Sequence, residues 1–290
     1  MVTPAPAPSV RAYYEQNSAW FRWVGRRYGT LAIHRPVWAA GVDDLQTALN
    51  YVNARIADQV RQVAAARGDA TIRLADLGCG YGGTVQYLVT AGGPSVWAVG
   101  VTVSTAQAQT AQRLAHGRGL RDRCAFVEAD FQALPLQPGL DVLVSVEAFA
   151  HAAQPERYFA EVSRLLAPGG RLVLCDDFRV ADTDMHLTAR QRRLLALFQS
   201  GWHIPHLLSA QQTHDLARRH GLQPVQDLDL SPDLRLRDFA DAWLPLLEQA
   251  MRRAGPLTQW VGSVLGGWAL ESAIRRGLTT YRFLVYTRPQ

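Results

Sequence analysis

The sequence predicts an α/β protein built on a mostly parallel sheet, and three observations carry that expectation. From Thr71 onward, apolar runs of strand length alternate with longer segments of helical composition. The first run leads into a Gly-rich turn, with glycines at 78, 80, 82 and 83, before a helix starts. The chain also closes on a strand-like run, Thr279–Thr287, that follows a helical segment. Strands joined through helices run parallel and are covered on both faces, so their runs read as continuously apolar instead of alternating.

In order along the chain, residues 1–9 read as a flexible tail and residues 10–68 as an N-terminal helical cap. The cap has one helix around residues 12–28 and a second around 42–67, where Leu45, Leu49, Val52, Ile56 and Val60 recur at helical spacing. Between them lies an irregular stretch holding His34, Arg35 and Pro36. Residues 69–290 form the larger domain. Its strands are expected at 71–77, 95–101, 125–128, 141–146 and 171–175, with helices at 84–90 and 105–116. Residues 183–217 turn helical where a sheet would otherwise continue, which predicts a lid, with an aromatic and His-rich break at 198–206. Strands at 225–230 and 279–287 flank a helical insertion at 237–277.

Composition bounds the function. With 290 residues, 48% hydrophobic and 19% charged, and a mean hydropathy of −0.08, the chain has enough apolar surface for a core and is not disordered. Three cysteines, Cys79, Cys124 and Cys175, lie in apolar or Gly-rich runs and read as interior thiols, which fits a reducing, cytoplasmic setting. No apolar run reaches the roughly 18 to 20 residues of a membrane span. All 30 basic side chains are Arg, with no Lys, against 25 acidic residues. They are scattered in ones and twos, without a basic tract or interleaved aromatic stripe, so nucleic acid is not the expected partner. The expected partner is a small molecule, with a homodimer as an open alternative.

The segment Leu74-Ala-Asp-Leu-Gly-Cys-Gly-Tyr-Gly-Gly-Thr84 resembles motif I of class I S-adenosylmethionine-dependent methyltransferases. Its acidic residue, Asp76, precedes the glycines, unlike the dinucleotide fingerprint, where an acid follows them by about 20 residues. The turn Leu166-Ala-Pro-Gly-Gly-Arg before the fifth strand and the terminal strand fit the same resemblance. It implies a Rossmann-like seven-stranded sheet of order 3-2-1-4-5-7-6, with S-adenosyl-L-methionine as cofactor. Asp76, Gly78 and Gly80 are then expected at its methionyl end, and Asp130 with Phe131 at its adenine. After the second strand, Gly100-Val-Thr-Val-Ser104 puts Thr102 where many relatives carry Asp or Glu for the ribose. A string of this kind, with Gln five residues later, is similar to that of cyclopropane fatty acid synthases and terpenoid C-methyltransferases, and implies Thr102, Val103 and Gln107 around the ribose.

On the acceptor side, strand four ends in Ser145-Val-Glu-Ala-Phe-Ala-His151, at the sheet edge where ligands of such folds bind. Glu147 and His151 are four apart and expected on one helix face. For an alkene acceptor, Glu147 would stabilise a carbocation and take its proton; for a hydroxyl, His151 would be the general base. Tyr14 is expected to close over the cofactor, as N-terminal Tyr segments do in relatives. Phe178, Phe198 and Trp202 are expected to line an apolar acceptor pocket, and His34, Arg35 and Arg179 to meet an anionic head group, a diphosphate that would carry Mg²⁺. His203 and His206 stand three apart beside a Pro, with no Cys or carboxylate pair near, so no protein metal site is expected. The preferred expectation is C-methylation of an isoprenoid diphosphate. O-methylation of a sugar, phenol or polyketide is the alternative, and a non-catalytic, methyltransferase-like binding subunit is a third reading from another class.

Overall fold

Asp44 starts the first described helix, α1 (Leu45–Ala66), by accepting the Thr47 main-chain N–H at 2.9 Å. Every third or fourth residue of α1 then faces inward: Ala48, Leu49, Val52, Ile56, Val60 and Val63 are all buried. This is a computed structural model, and it describes residues 34–68, 71–180, 187–237 and 258–290. The predicted helix at 12–28 lies outside the described residues.

The sheet comprises β1 (Ile72–Leu77), β2 (Val96–Thr102), β3 (Cys124–Glu128), β4 (Leu140–Val146), β5 (Leu166–Arg179), β6 (Gln223–Asp229) and β7 (Thr279–Thr287). Their order is β3-β2-β1-β4-β5-β7-β6, as the resemblance implied. β1 to β5 pair in parallel, while β7 inserts antiparallel between β5 and β6. Helices α2 (Gly83–Ala91), α3 (Thr105–Gly117) and α4 (Pro155–Leu165) provide the crossovers, and α6 (Ala210–Arg219) precedes β6.

One face of the sheet packs Val52, Ile56, Val60 and Val63 of α1 and Val85, Leu88 and Val89 of α2 against β1, β4, β5 and β7 in one cluster. The opposite face packs Tyr158, Phe159, Val162 and Leu165 of α4. At about 1.5–3 kcal/mol for each fully buried aliphatic or aromatic side chain, α1 contributes to the sheet's own core. α1 thus packs as a layer on the sheet. Arg67, just past its end, pairs with buried Asp141 at 2.8 Å and ties that layer to the start of β4.

Within the segment expected as a lid lies α5 (Ala189–Trp202), opened by a Thr188/Gln191 capping box. His203, at φ 54°, ends it within the expected break. α5 packs on α7 (Thr258–Arg275), the described part of the late insertion. Their axes approach so closely that a Cβ on Gly201 would lie 2.4 Å from the Gly262 carbonyl oxygen and 2.8 Å from the Gly266 Cα. All three cysteines are buried thiols. Among the described residues no helix is long and apolar enough to cross a membrane.

Candidate active site

The ends of β1 and β2 carry the first half of the site. The main-chain N–H groups of Gly78 and Cys79 both donate to the Val101 carbonyl, at 2.9 and 2.8 Å, which folds the loop over the end of β2. Gly78 is required: its φ is +96°, and a Cβ there would stand 2.3 Å from that of Ala148. At Gly80, by contrast, an added Cβ meets nothing within 4 Å. Behind the loop Asp76 is 3% exposed, and burial alone pushes its carboxyl up to about 7. A buried carboxylate next to an open Gly-rich cradle suits a ligand bearing an ammonium group. Thr102 donates to Gln107 Oε1 at 2.7 Å, and Ser104 between them caps α3, so the two expected ribose ligands do meet.

Val103 is half-buried beside that pair. Asp130 lies exposed after β3, with its Oδ1 accepting the Gln132 main-chain N–H at 2.8 Å. Phe131 meets Tyr158 edge to face at 5.4 Å. His34 comes to this half too. Its Nε2 lies 2.8 Å from Thr84 Oγ1 at the start of α2, and burial lowers its pKa against the opposing influence of Glu147 and a hydrogen bond with Asn53.

The second half sits at the ends of β4, β5 and β7. Glu147 follows β4 at φ 50°, with its main-chain N–H on the Cys175 carbonyl at 2.8 Å. Its Oε1 accepts from the Arg35 main-chain N–H and from the Tyr281 hydroxyl, both at 2.9 Å. Arg35 forks onto both carboxylate oxygens of Asp177, one of them at 2.6 Å, and its guanidinium lies 4.8 Å above the Tyr281 ring. Asp177 and Tyr281 are cross-strand partners in the β5–β7 register. Burial pushes the Asp177 carboxyl up, Arg35 pulls it down, and Glu147 adds to the rise. Neighbouring Asp176 is pushed up to about 7, first by burial and then by Asp177, although it accepts the Ala150 N–H at 3.0 Å.

Several expectations are corrected here. Glu147 and His151 do not share a helix face: Glu147 is left-handed, and His151 ends a single 3₁₀ turn, Phe149–His151, before α4 begins. Burial lowers the His151 pKa to about 4, against a hydrogen bond with the His203 main chain that opposes the drop. Arg35, expected at an anionic head group, has its two terminal nitrogens on Asp177. Phe178 and Phe198, each 1% exposed, are core residues, Phe178 under the sheet beside α4 and Phe198 in the seam with α7. Trp202 packs in that same seam and donates from Nε1 to the Ser263 carbonyl at 3.1 Å. Arg179 closes β5, with its main-chain N–H on the Leu208 carbonyl at 2.9 Å. Tyr14 lies outside the described residues. Sequence reading missed Asp177 and Tyr281; the only signal available was an acid pair ending an apolar strand. Among the described residues no group of three or more metal-ligating side chains gathers.

Residues 75–174 match a family model described as a methyltransferase domain. The tocopherol O-methyltransferase of Arabidopsis thaliana is 26% identical over 186 residues, 63% of this chain and 51% of that protein. The 27-O-demethylrifamycin SV methyltransferase of Amycolatopsis mediterranei is 28% identical over 224 residues, covering 76% and 78%. The chain spans about half the length of several curated relatives it matches. Among solved structures, geranyl diphosphate C-methyltransferase from Streptomyces coelicolor, in complex with Mg²⁺, geranyl diphosphate and S-adenosyl-L-homocysteine, superposes with a TM-score of 0.66 at 20% identity, over 98% of this chain and all of that one. The matched segment and its Gly-rich loop are thus similar to a methyltransferase domain, within a chain whose sheet order is that of the class I methyltransferase fold.

Proposed function

We propose that the protein is an S-adenosylmethionine-dependent methyltransferase acting on a small molecule. The observation that carries this reading is the Gly78–Gly80 loop, with open space at Gly80, over buried Asp76 and beside the Thr102–Gln107 pair. Asp76 would hold the methionyl ammonium, Thr102 and Gln107 the ribose hydroxyls, and Asp130 the adenine amino group. When bound, the cofactor supplies a methyl group already activated by a sulfonium, so the protein's part is to hold an acceptor in line and arrange its polar surroundings in advance.

For the acceptor we favour an alkene, of the isoprenoid class, that passes through a carbocation. Glu147 and Asp177 gather around Arg35, with the buried Asp176 carboxyl close enough to feel both carboxylates, and this acid-rich edge suits an acceptor that gains positive charge. Glu147 would stabilise that charge and take the departing proton. The likeness to a geranyl diphosphate C-methyltransferase supports the isoprenoid class. With Arg35 bound to Asp177, a diphosphate with its Mg²⁺ would rest on other residues. A second reading, O-methylation, rests on the place of His151 in the turn that follows β4, although the burial that keeps its imidazole neutral also lowers its pKa to about 4 and makes it a weaker base.

The test pairs calorimetry with labelled methyl transfer to prenyl diphosphates, phenols and sugars, with and without EDTA. C-methylation predicts labelled prenyl product, suppression by EDTA, and loss of turnover in Glu147→Gln with cofactor binding intact. Label on phenols or sugars, with His151→Ala the more damaging change, establishes the second reading. A protein that binds no S-adenosylmethionine overturns both and leaves a binding subunit.

A further inference from the structure

We propose that Tyr281 is a positioning residue for Glu147: its hydroxyl and the Arg35 main-chain N–H fix Oε1 of the carboxylate and present Oε2 to the acceptor. The inference rests on the acceptor-side role of Glu147 proposed above.

Tyr281 lies on β7, fully buried among Val142, Val144, Phe283 and Val285, where a Phe would pack as well. A hydroxyl at such a place is costly unless it is partnered, and this one is directed to Glu147 Oε1 at 2.9 Å. Glu147 needs outside support, because φ 50° is an uncommon backbone conformation for a residue with a long side chain. That support comes from sequence-distant parts of the chain. Arg35, 112 residues away, donates through its main chain, and Tyr281, 134 residues away, through its phenol. The guanidinium of Arg35, forked onto Asp177 and stacked over the Tyr281 ring, keeps both donors in place. Both hydrogen bonds go to one oxygen; among the described residues Oε2 accepts none. A carboxylate held by one oxygen, with the other taking no hydrogen bond from the described residues, can meet an acceptor proton or a developing cation without reorganising.

The experiment uses the full chain with S-adenosyl-L-homocysteine bound and glutamate labelled with ¹³C at Cδ. The resonance missing in Glu147→Gln identifies the carboxyl. In Tyr281→Phe that resonance is expected to move and broaden while the others stay, and a resonance that superposes on the parent's overturns the proposal. Turnover of labelled S-adenosylmethionine with geranyl diphosphate, or with a phenol if that is the acceptor, gives the functional arm. Tyr281→Phe should lower kcat about tenfold or more with cofactor affinity within twofold. Added to Glu147→Gln, it should cost less than twofold more, because its effect passes through that carboxylate. An equal loss in both backgrounds indicates a merely structural tyrosine and overturns the proposal. If neither acceptor turns over, the resonance alone decides. Failure to bind S-adenosyl-L-homocysteine would instead sink the underlying methyltransferase reading, which separates the two failures.

Discussion

The two halves of the site are built in opposite ways. The half at β1 and β2 is local: Asp76, near the end of β1, stands two residues before Gly78, and Thr102 hydrogen-bonds a residue five positions later. The half at β4, β5 and β7 is composite, with Arg35, Glu147, Asp177 and Tyr281 drawn from four separate stretches of chain. A local site is set mainly by backbone geometry and a composite one by side chains that hold each other, so the two should fail differently under substitution.

The largest expected effect tests the local half. Gly78→Val must place a branched side chain at φ +96° against Ala148, and S-adenosylmethionine binding should weaken more than 100-fold by calorimetry, with the loop refolded. Binding within a few-fold of the parent would show that the loop is not the cradle. Next, Asp177→Asn removes the partner of a largely buried guanidinium and should destabilise the fold by about 3 kcal/mol in urea unfolding. Cofactor affinity should change little, because Asp177 belongs to the other half. A large loss of affinity would erase the distinction between the halves.

A third prediction concerns pH. Folded Asp76, with its pKa pushed up to about 7, holds a proton more tightly than the unfolded carboxyl does. It therefore stabilises the ligand-free fold most below about pH 4, and that contribution disappears as pH rises through about 7. If the ionised form grips an ammonium, cofactor affinity should rise about tenfold per pH unit up to pH 7 and then level off. Asp76→Asn should make the profile flat, and a parent profile without slope would remove Asp76 from the binding site. The smallest effect is Trp202→Phe, which loses the hydrogen bond to Ser263 and should cost about 1 kcal/mol of stability with cofactor affinity unchanged.

The same division decides what could be read from the sequence. The strands, the Gly-rich loop and the Thr102–Gln107 pair were legible because a strand, a turn and a helix cap are each written in consecutive residues, whereas the strand order followed from the family resemblance. Glu147 was picked out correctly as lying at the end of β4, but its helix face was not, because a left-handed residue followed by a single 3₁₀ turn has no periodicity to reveal it. Arg35 looked like an anion ligand because its partner lies 142 residues further on. Phe178 and Phe198 illustrate the same limit: aromatic spacing marks a buried face without saying what covers it.

The crossing of α5 and α7 at Gly201 and Gly266 has a consequence for altering acceptor choice. α5 ends in the His203 turn, whose main chain meets His151, while Ala150 beside it packs into the same seam. The separation of two helices, set where no methyl group fits, therefore bears on where that turn lies against His151. Gly201→Ala would act as a one-carbon shim against main chain: it should lower stability and, by moving the turn that meets His151, alter the preference for the proposed acceptor.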